Sequence, residues 1–251
     1  MPYFKHLLKD SKAPVGSLIG IYPIQGKGVV NGSSHKKLLA IGNLKQPVHA
    51  WGEIYTGISA KDYMDGTSNF YGVHSVTLYV DSVQVFNSTT DKVLPDENRM
   101  INGFTDYEEL TRTRRLIMRS YKLPGNRLRL LHPNENRGAV TIDEERDYHF
   151  RYVLEDNFGN RRTYQFIVKG KRQDIPEYKP EANEMLYWNR TNVIQKPGME
   201  LVVPRYYVYE DVPLRTDMRG DSSHIAFDYI LDAGRTPIHS YCDLSIGCLL
   251  Y

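Results

Sequence analysis

The sequence is short of cysteine, tryptophan, long apolar runs and net charge, and each shortage excludes something. Its two cysteines, Cys242 and Cys248, form no Cys-x-x-Cys, so a redox or zinc pattern of that kind is absent. On one extended strand their Cα atoms would lie roughly 20 Å apart, whereas a disulfide needs less than about 7 Å. Both therefore read as half-buried free thiols unless a turn at Gly247 intervenes. No apolar run approaches the roughly 20 residues of a membrane-spanning helix. The first ten residues carry no apolar core and no small-residue cleavage site, which excludes a signal peptide there. Lys plus Arg (32) nearly balances Asp plus Glu (30), for a net charge of +2 that predicts no polyanion by itself. No DNA- or RNA-binding motif is present, so nucleic acid is not an expected partner. A hydrophobic share of 41% and a charged share of 25% exclude disorder, collagen and coiled coil. What is abundant is tyrosine: 19 Tyr against 8 Phe and 2 Trp. In a chain punctuated by Gly and Pro, that excess points to β-structure, where rings fit a pleated, half-buried surface.

The length of 251 residues allows one large domain or two modest ones. Residues 1–14 read as a short linking segment ending at Ala13-Pro14, and from residue 15 the pattern is mainly period two. Val76, Leu78 and Val80 alternate with Thr77 and Tyr79, and Asp81-Ser82 marks a hairpin into Val83–Phe86. Tyr148, Phe150, Tyr152 and Leu154 share one face, Asn157–Asn160 is a turn, and Tyr164, Phe166 and Val168 alternate on the return. Val48–Tyr55 reads as a further strand. One helical insertion near 105–120 is expected: Thr105-Asp-Tyr-Glu108 fits a capping box, and Tyr107, Leu110 and Ile117 recur at helical spacing over 106–119. Residues 172–184 are polar, with two prolines, and form a linker. Beyond it Met199–Val203, the alternating Ile225, Phe227, Tyr229 and Leu231, and Ile238–Leu250 give four or five strands. The expected architecture is all-β: an immunoglobulin-like sandwich over 15–171 with the helical insertion, then an incomplete second β-domain over 185–251. The apolar run Ser245–Tyr251 at the end suggests a domain cut short.

Motifs for chemistry are sparse. His6 and Asp10 form a His-x-x-x-Asp pair, but a catalytic zinc needs three protein ligands and no His-x-His or His-Glu-x-x-His accompanies them. His49, His74 and His149 fall inside expected strands and read as packing or surface residues. Asp143-Glu-Glu-Arg-Asp147 is dense in carboxylates but sits where a solvated turn is the simpler explanation. Asp62, Asp65 and Asn69 could offer oxygens to calcium, without EF-hand spacing. There is no Gly-x-Ser-x-Gly elbow, and Gly26-Lys-Gly28 is too short for a phosphate loop. No catalytic or metal-binding residue is therefore assigned.

Two surface features remain. Between Arg112 and Arg137 there are eight basic residues against one acid, a local +7 within a chain of +2. Arg112, Arg114, Arg115, Arg119, Lys122, Arg127 and Arg129 are the candidate surface for an anionic partner. The plainer reading pairs these arginines with the acids at 106–109 and 143–147. Tyr187, Trp188, Tyr206 and Tyr207 form a candidate aromatic ligand surface, against the plainer reading of core packing. A glycan-binding role would require Trp188 and Tyr206 to be exposed together.

Seven segments carry a resemblance: Pro23–Gly32, Ala50–Ile58, Asp62–Asn69, Asp96–Asn102, Val140–Tyr152, Leu186–Arg190 and Ile194–Leu201. Together they resemble the region downstream of the catalytic domain in large lysostaphin/LytM-type zinc metallopeptidases of Bacteroidetes. The resemblance implies a zinc site of His-x-x-x-Asp and His-x-His in a separate upstream domain, so no cofactor is expected in this chain. It also implies a periplasmic or envelope location, a parent that cleaves peptidoglycan crosslinks, and partners drawn from a peptidase catalytic domain, peptidoglycan or an envelope protein. The expected function is that of a non-catalytic accessory module. The alternatives are a chain counted as a metalloendopeptidase through its parent, and a glycan-binding module.

Overall fold

The computed structural model describes residues 9–220 and 227–247. The chain is all-β apart from short helical turns and divides into two compact units. The first comprises residues 1–95, 104–122 and 128–178, and the second 96–103, 123–127 and 179–251. The division falls at Tyr178/Lys179, within the polar linker. The second unit, however, is not contiguous in sequence: it takes two segments from the region around the expected helical insertion.

The first unit is built from β1 (Val15–Val30), β2 (Lys37–Ala40), β3 (Val48–Tyr63), β4 (Phe70–Tyr71), β5 (Ser75–Val80) and β6 (Val83–Thr89), followed by β7 (Met118–Arg119), β8 (Leu131–Pro133), β9 (Val140–Ile142), β10 (Asp147–Glu155) and β11 (Arg161–Gly170). These form one sheet in the order β2-β1-β3-β11-β10-β5-β6-β8. β3 is its spine. One edge of β3 pairs antiparallel with β1, from Ala50 against Val30 to Lys61 against Val15. The other edge is tiled in turn by β11 (parallel, at Val48–Ala50), β9 (Gly52–Ile54), β7 (Gly57–Ile58) and β4 (Asp62–Tyr63). A bulge interrupts the β1–β3 ladder between Pro23 and Gly28. Gly52 sits opposite it with φ +79°, and any side chain there would collide with the Lys27 carbonyl.

The period-two pattern places the strands as expected. Val76, Leu78 and Val80 are buried, as are Tyr148, Phe150, Tyr152 and Leu154. Asp81 (φ 48°) and Ser82 (φ 70°) form the two-residue hairpin turn, both in the left-handed region that matches strand twist. The tyrosine excess serves the sheet through hydroxyls as well as rings. Tyr22 stacks on Tyr55 at 4.8 Å and Tyr55 on Tyr121 at 4.7 Å. The buried Tyr152 hydroxyl lies 2.7 Å from Thr56 Oγ1 and 2.8 Å from Ser120 Oγ, joining three segments.

The insertion differs from the sequence expectation. A 3₁₀ turn (Pro95–Met100) leads into α1 (Ile101–Phe104), and the later helix, α2, covers only Tyr107–Thr113. Asp106, not Thr105, is its N-cap, accepting the Glu109 N–H at 3.1 Å. Arg114 adopts φ 64° and closes the helix onto the Leu110 carbonyl. Residues 118–119 then leave for the open edge of β3, where a strand ladder satisfies their backbone better than two further helical turns would.

The second unit holds two three-stranded sheets. β12 (Glu184–Leu186), β15 (Val212–Arg219) and β16 (Asp228–Asp232) form one in the order β12-β15-β16. β13 (Asn192–Lys196), β14 (Met199–Val203) and β17 (Asp243–Ile246) form the other. Leu186, Ile194, Val203, Val208, Val212 and Leu214 make the core. Two expectations are corrected here. Of the described part of the run 238–250, residues 238–247, only Asp243–Ile246 is a strand; Ile238 is exposed and bends precede β17. Tyr229, Ile230 and Leu231 are all half-buried, without the alternation expected of them. His6, His224, Ile225 and Cys248 lie outside the described residues, whereas Cys242 is a half-buried free thiol whose pKa is raised by burial.

Candidate functional site

The basic run is divided by the fold. Arg112 and Arg115 reach the buried Glu109, at 2.8 and 3.8 Å. Arg114 is the helix C-cap and Arg119 lies on β7. The Lys122 ammonium donates to the Leu128 carbonyl at 3.3 Å, and burial lowers its pKa. These residues, with Arg129 and Arg137, belong to the first unit, while Arg127 belongs to the second. Of the acids expected to neutralise the run, Glu109 does so for two arginines. The exposed 143–147 turn instead engages Arg146, which bonds Glu144 at 2.8 Å and Asp81 at 2.7 Å, and Lys169, 3.9 Å from Asp147.

Arg127 meets the aromatic candidates within the second unit. Pro204 follows β14, and the chain turns at Tyr206 with φ 69°, an unusual conformation for a large residue. The turn is fixed by the Tyr206 N–H on the Trp188 carbonyl at 2.9 Å. The Tyr206 ring lies 6.0 Å from the Trp188 ring. Arg127 stands 4.8 Å and Arg205 4.4 Å from the Tyr206 centroid, both within cation–π range. Tyr187 is separately covered by Arg190 at 3.9 Å. Tyr207 faces inward, edge-on to His239 at 6.4 Å, and packs on the unit's core. Trp188 and Tyr206 are each half-buried, so they present edges and part-faces rather than open stacking platforms.

A neighbouring group was not legible in the sequence. The Tyr209 hydroxyl donates to the Arg99 carbonyl at 2.9 Å, and burial pushes its pKa up to about 12. His239 Nδ1 lies 3.3 Å from the same hydroxyl. Burial, then the charges of Arg127 and Arg99, holds the imidazole below its usual pKa and therefore neutral. Arg99 also lies over Tyr241 at 5.0 Å. Arg99, Arg127 and Arg205 are exposed, and no carboxylate pairs with any of them among the described residues. The arrangement can accept an anion flanked by aromatic edges.

In the first unit Lys36 gathers three acids: Asp106 at 2.7 Å, Glu108 at 3.3 Å and Glu109 at 3.5 Å. Tyr22 adds its hydroxyl to Asp106 at 3.0 Å. Burial pushes the Glu109 carboxyl up, but hydrogen bonds from Arg112 and Thr113 and the charge of Lys36 outweigh it and hold the group below its usual range. This is a structural ion cluster that ties α2 to the sheet. The Asp62, Asp65 and Asn69 set is split: Asp65 accepts from Ser11, Asn69 is exposed, and Asp62 is buried beside Asp10 and Asp156. That all-carboxylate trio has no histidine and does not match the His/Asp/His site that the resemblance implies for the upstream domain.

Comparison with known proteins adds one finding. Residues 183–249 match the model of the Zu5-like domain. The matched segment holds Trp188, Arg205, Tyr206, His239 and Tyr241, while Arg99 and Arg127 lie outside it. Neither a curated protein nor a solved structure matches the chain.

Proposed function

We propose that this chain is a non-catalytic binding module that docks on an anionic partner through the second unit. The observation that carries the reading is Tyr206 in cation–π contact with both Arg127 and Arg205, with Arg99 near by and no carboxylate on any of the three among the described residues. Exposed guanidinium groups held by stacking keep their N–H donors free for carboxylate or phosphate. The segment resemblance supplies the setting: an immunoglobulin-like accessory region of a lysostaphin/LytM-type cell-wall peptidase, for which peptidoglycan, rich in carboxylates, is the partner. The Zu5-like match of residues 183–249 falls on the unit that carries these contacts.

Co-sedimentation of the full chain with purified peptidoglycan tests this. Binding should weaken as salt rises, and Arg127→Ala with Arg205→Ala should reduce it at least tenfold without loss of folding. Salt-insensitive binding, or an unchanged affinity in the double variant, would overturn the reading. A glycan-binding role would rest on the pairing of Trp188 with Tyr206, both of them half-buried. It predicts a Trp188 fluorescence change on titration with uncharged N-acetylglucosamine oligomers, which the anion reading does not. Stoichiometric zinc together with cleavage of a cell-wall peptide would replace both with a peptidase.

A further inference from the structure

Asp10, Asp62 and Asp156 come from three separate places in the first unit: the stretch before β1, the end of β3 and the turn after β10. One carboxylate oxygen of each lies within 4.8 Å of the others. Asp62 is 6% exposed and Asp156 1%. Asp156 is held rigidly: Oδ1 accepts the Phe158 and Asn160 N–H groups, both at 2.8 Å, and Oδ2 accepts Asn160 Nδ2 at 2.7 Å. The other two are under-satisfied. Asp10 Oδ1 accepts the Lys12 N–H at 3.2 Å and the Asp65 N–H at 3.1 Å, but among the described residues its buried Oδ2 has no donor. Among the same residues Asp62 accepts the adjacent Tyr63 N–H at 3.0 Å. Lys12 directs its ammonium to the Met64 carbonyl at 3.1 Å and to Asp65 at 3.8 Å rather than to the trio.

Three carboxylates this close, two of them withdrawn from water, repel one another, and among the described residues Asp10 Oδ2 and Asp62 lack the donors that offset the burial of Asp156. Burial, then the charges of Asp156 and Asp10, raises the pKa of Asp62. A shared proton joins two carboxylates and leaves the third ionised, whereas a divalent cation answers all three. We infer that Asp10, Asp62 and Asp156 form a binding site for a hard divalent cation of the calcium type. Among the described residues the donors are all oxygen, with no imidazole or thiolate to favour a softer metal. Calcium takes six to eight oxygens at about 2.3–2.6 Å, so its ligands lie about 3.3–5 Å apart, a range compatible with oxygens that all lie within 4.8 Å of one another. Magnesium, at about 2.0–2.1 Å, demands a tighter, near-ideal octahedron and keeps several of its waters. Bound there, the cation fastens the segment before β1 to the end of β3 and to the β10–β11 turn.

The test uses the metal-free full chain. Calcium at a hundredfold excess over its Kd should raise the Tm by about 5–10 °C, and magnesium by less. Terbium luminescence excited through tyrosine should appear and be displaced by calcium. Asp62→Asn should abolish both effects while leaving the metal-free Tm equal or higher, because the amide oxygen still accepts the Tyr63 N–H. If that variant fails to fold, Asp10→Asn provides the same comparison. An unchanged Tm and no displaceable terbium signal, or a calcium shift that survives both substitutions, would overturn the inference. Calcium insensitivity together with a higher Tm in Asp62→Asn would assign the cluster to a shared proton instead.

Discussion

The two units solve the same problem, burying a β-sheet face, with very different means. In the first, β1 and β3 pair along most of their length, and Ile19, Ile21, Ile54, Ile58, Leu78, Tyr152 and Leu154 are wholly buried. In the second, strands of three to eight residues surround a core of six, and large apolar side chains remain in solvent: Leu244 is 50% and Ile246 59% exposed. A small unit buries a smaller share of its surface and gains less from it. The second unit makes up part of the deficit by recruiting distant chain. Met100 and Leu123 are buried in it, the Gly125 N–H donates to the Tyr209 carbonyl at 2.6 Å, and the Asn126 side chain donates to the Met100 carbonyl at 3.2 Å. A fold boundary drawn along the sequence therefore cuts through this unit's support.

That contrast can be broken most severely by separating the units. A fragment of residues 179–251, which lacks 96–103 and 123–127, should show no cooperative thermal transition by circular dichroism, while residues 1–178 should keep one. Cooperative unfolding of the short fragment would show that the recruited segments are dispensable. Next in size is Lys36→Met, which strands the buried Asp106 and Glu109 carboxylates. It should cost about 3–5 kcal/mol by urea unfolding, with hydrogen-exchange protection lost in the first unit and retained in the second. Tyr152→Phe removes the hydroxyl shared by Thr56 and Ser120 and should cost about 1–3 kcal/mol, again confined to the first unit.

Acid should separate the units by order. His239 has a folded pKa below its ordinary 6.5, so below that pH the unfolded chain binds the extra proton and the second unit loses stability. Glu109 has a folded pKa below its ordinary 4.5; its contribution is present above about pH 4.5 and is lost as pH falls through the lower folded value. Exchange measured between pH 7 and 3 should therefore soften the second unit first. His239→Gln and Glu109→Gln should each flatten only their own unit's response. The smallest effect is expected for Arg127→Ala, about 0.5–1 kcal/mol from an exposed cation–π contact. A loss in the second unit much larger than this would make Arg127 a structural residue rather than a docking one.

Much of the strand pattern was legible because a sheet with one buried face writes its alternation into the sequence, as at Val76–Val80 and Tyr148–Leu154. The helix was legible only by existence. Its cap moved one residue, to Asp106, because that carboxylate is also claimed by Lys36 and Tyr22, residues 70 and 84 positions away. The aromatic and basic candidates were each visible, but nothing local indicated that Arg127 alone, of the basic run, would join Tyr206. The carboxylate trio was hidden for the same reason. Sequence proximity groups Asp62 with Asp65 and Asn69, whereas the groups facing it are Asp10 and Asp156.

By itself the sequence determined the all-β class, the inward-facing alternation of strands such as Val76–Val80 and Tyr148–Leu154, and the tight Asp81-Ser82 turn, because side-chain periodicity and backbone preference act over a few residues. The tertiary structure alone decided which segments belong to which unit, where Glu109 finds its cations, and which arginines stay unpaired. It also decided that three aspartates from distant segments share one small volume. Those outcomes depend on contacts between residues far apart in the chain, and such contacts follow from how the strands pack rather than from any local spacing.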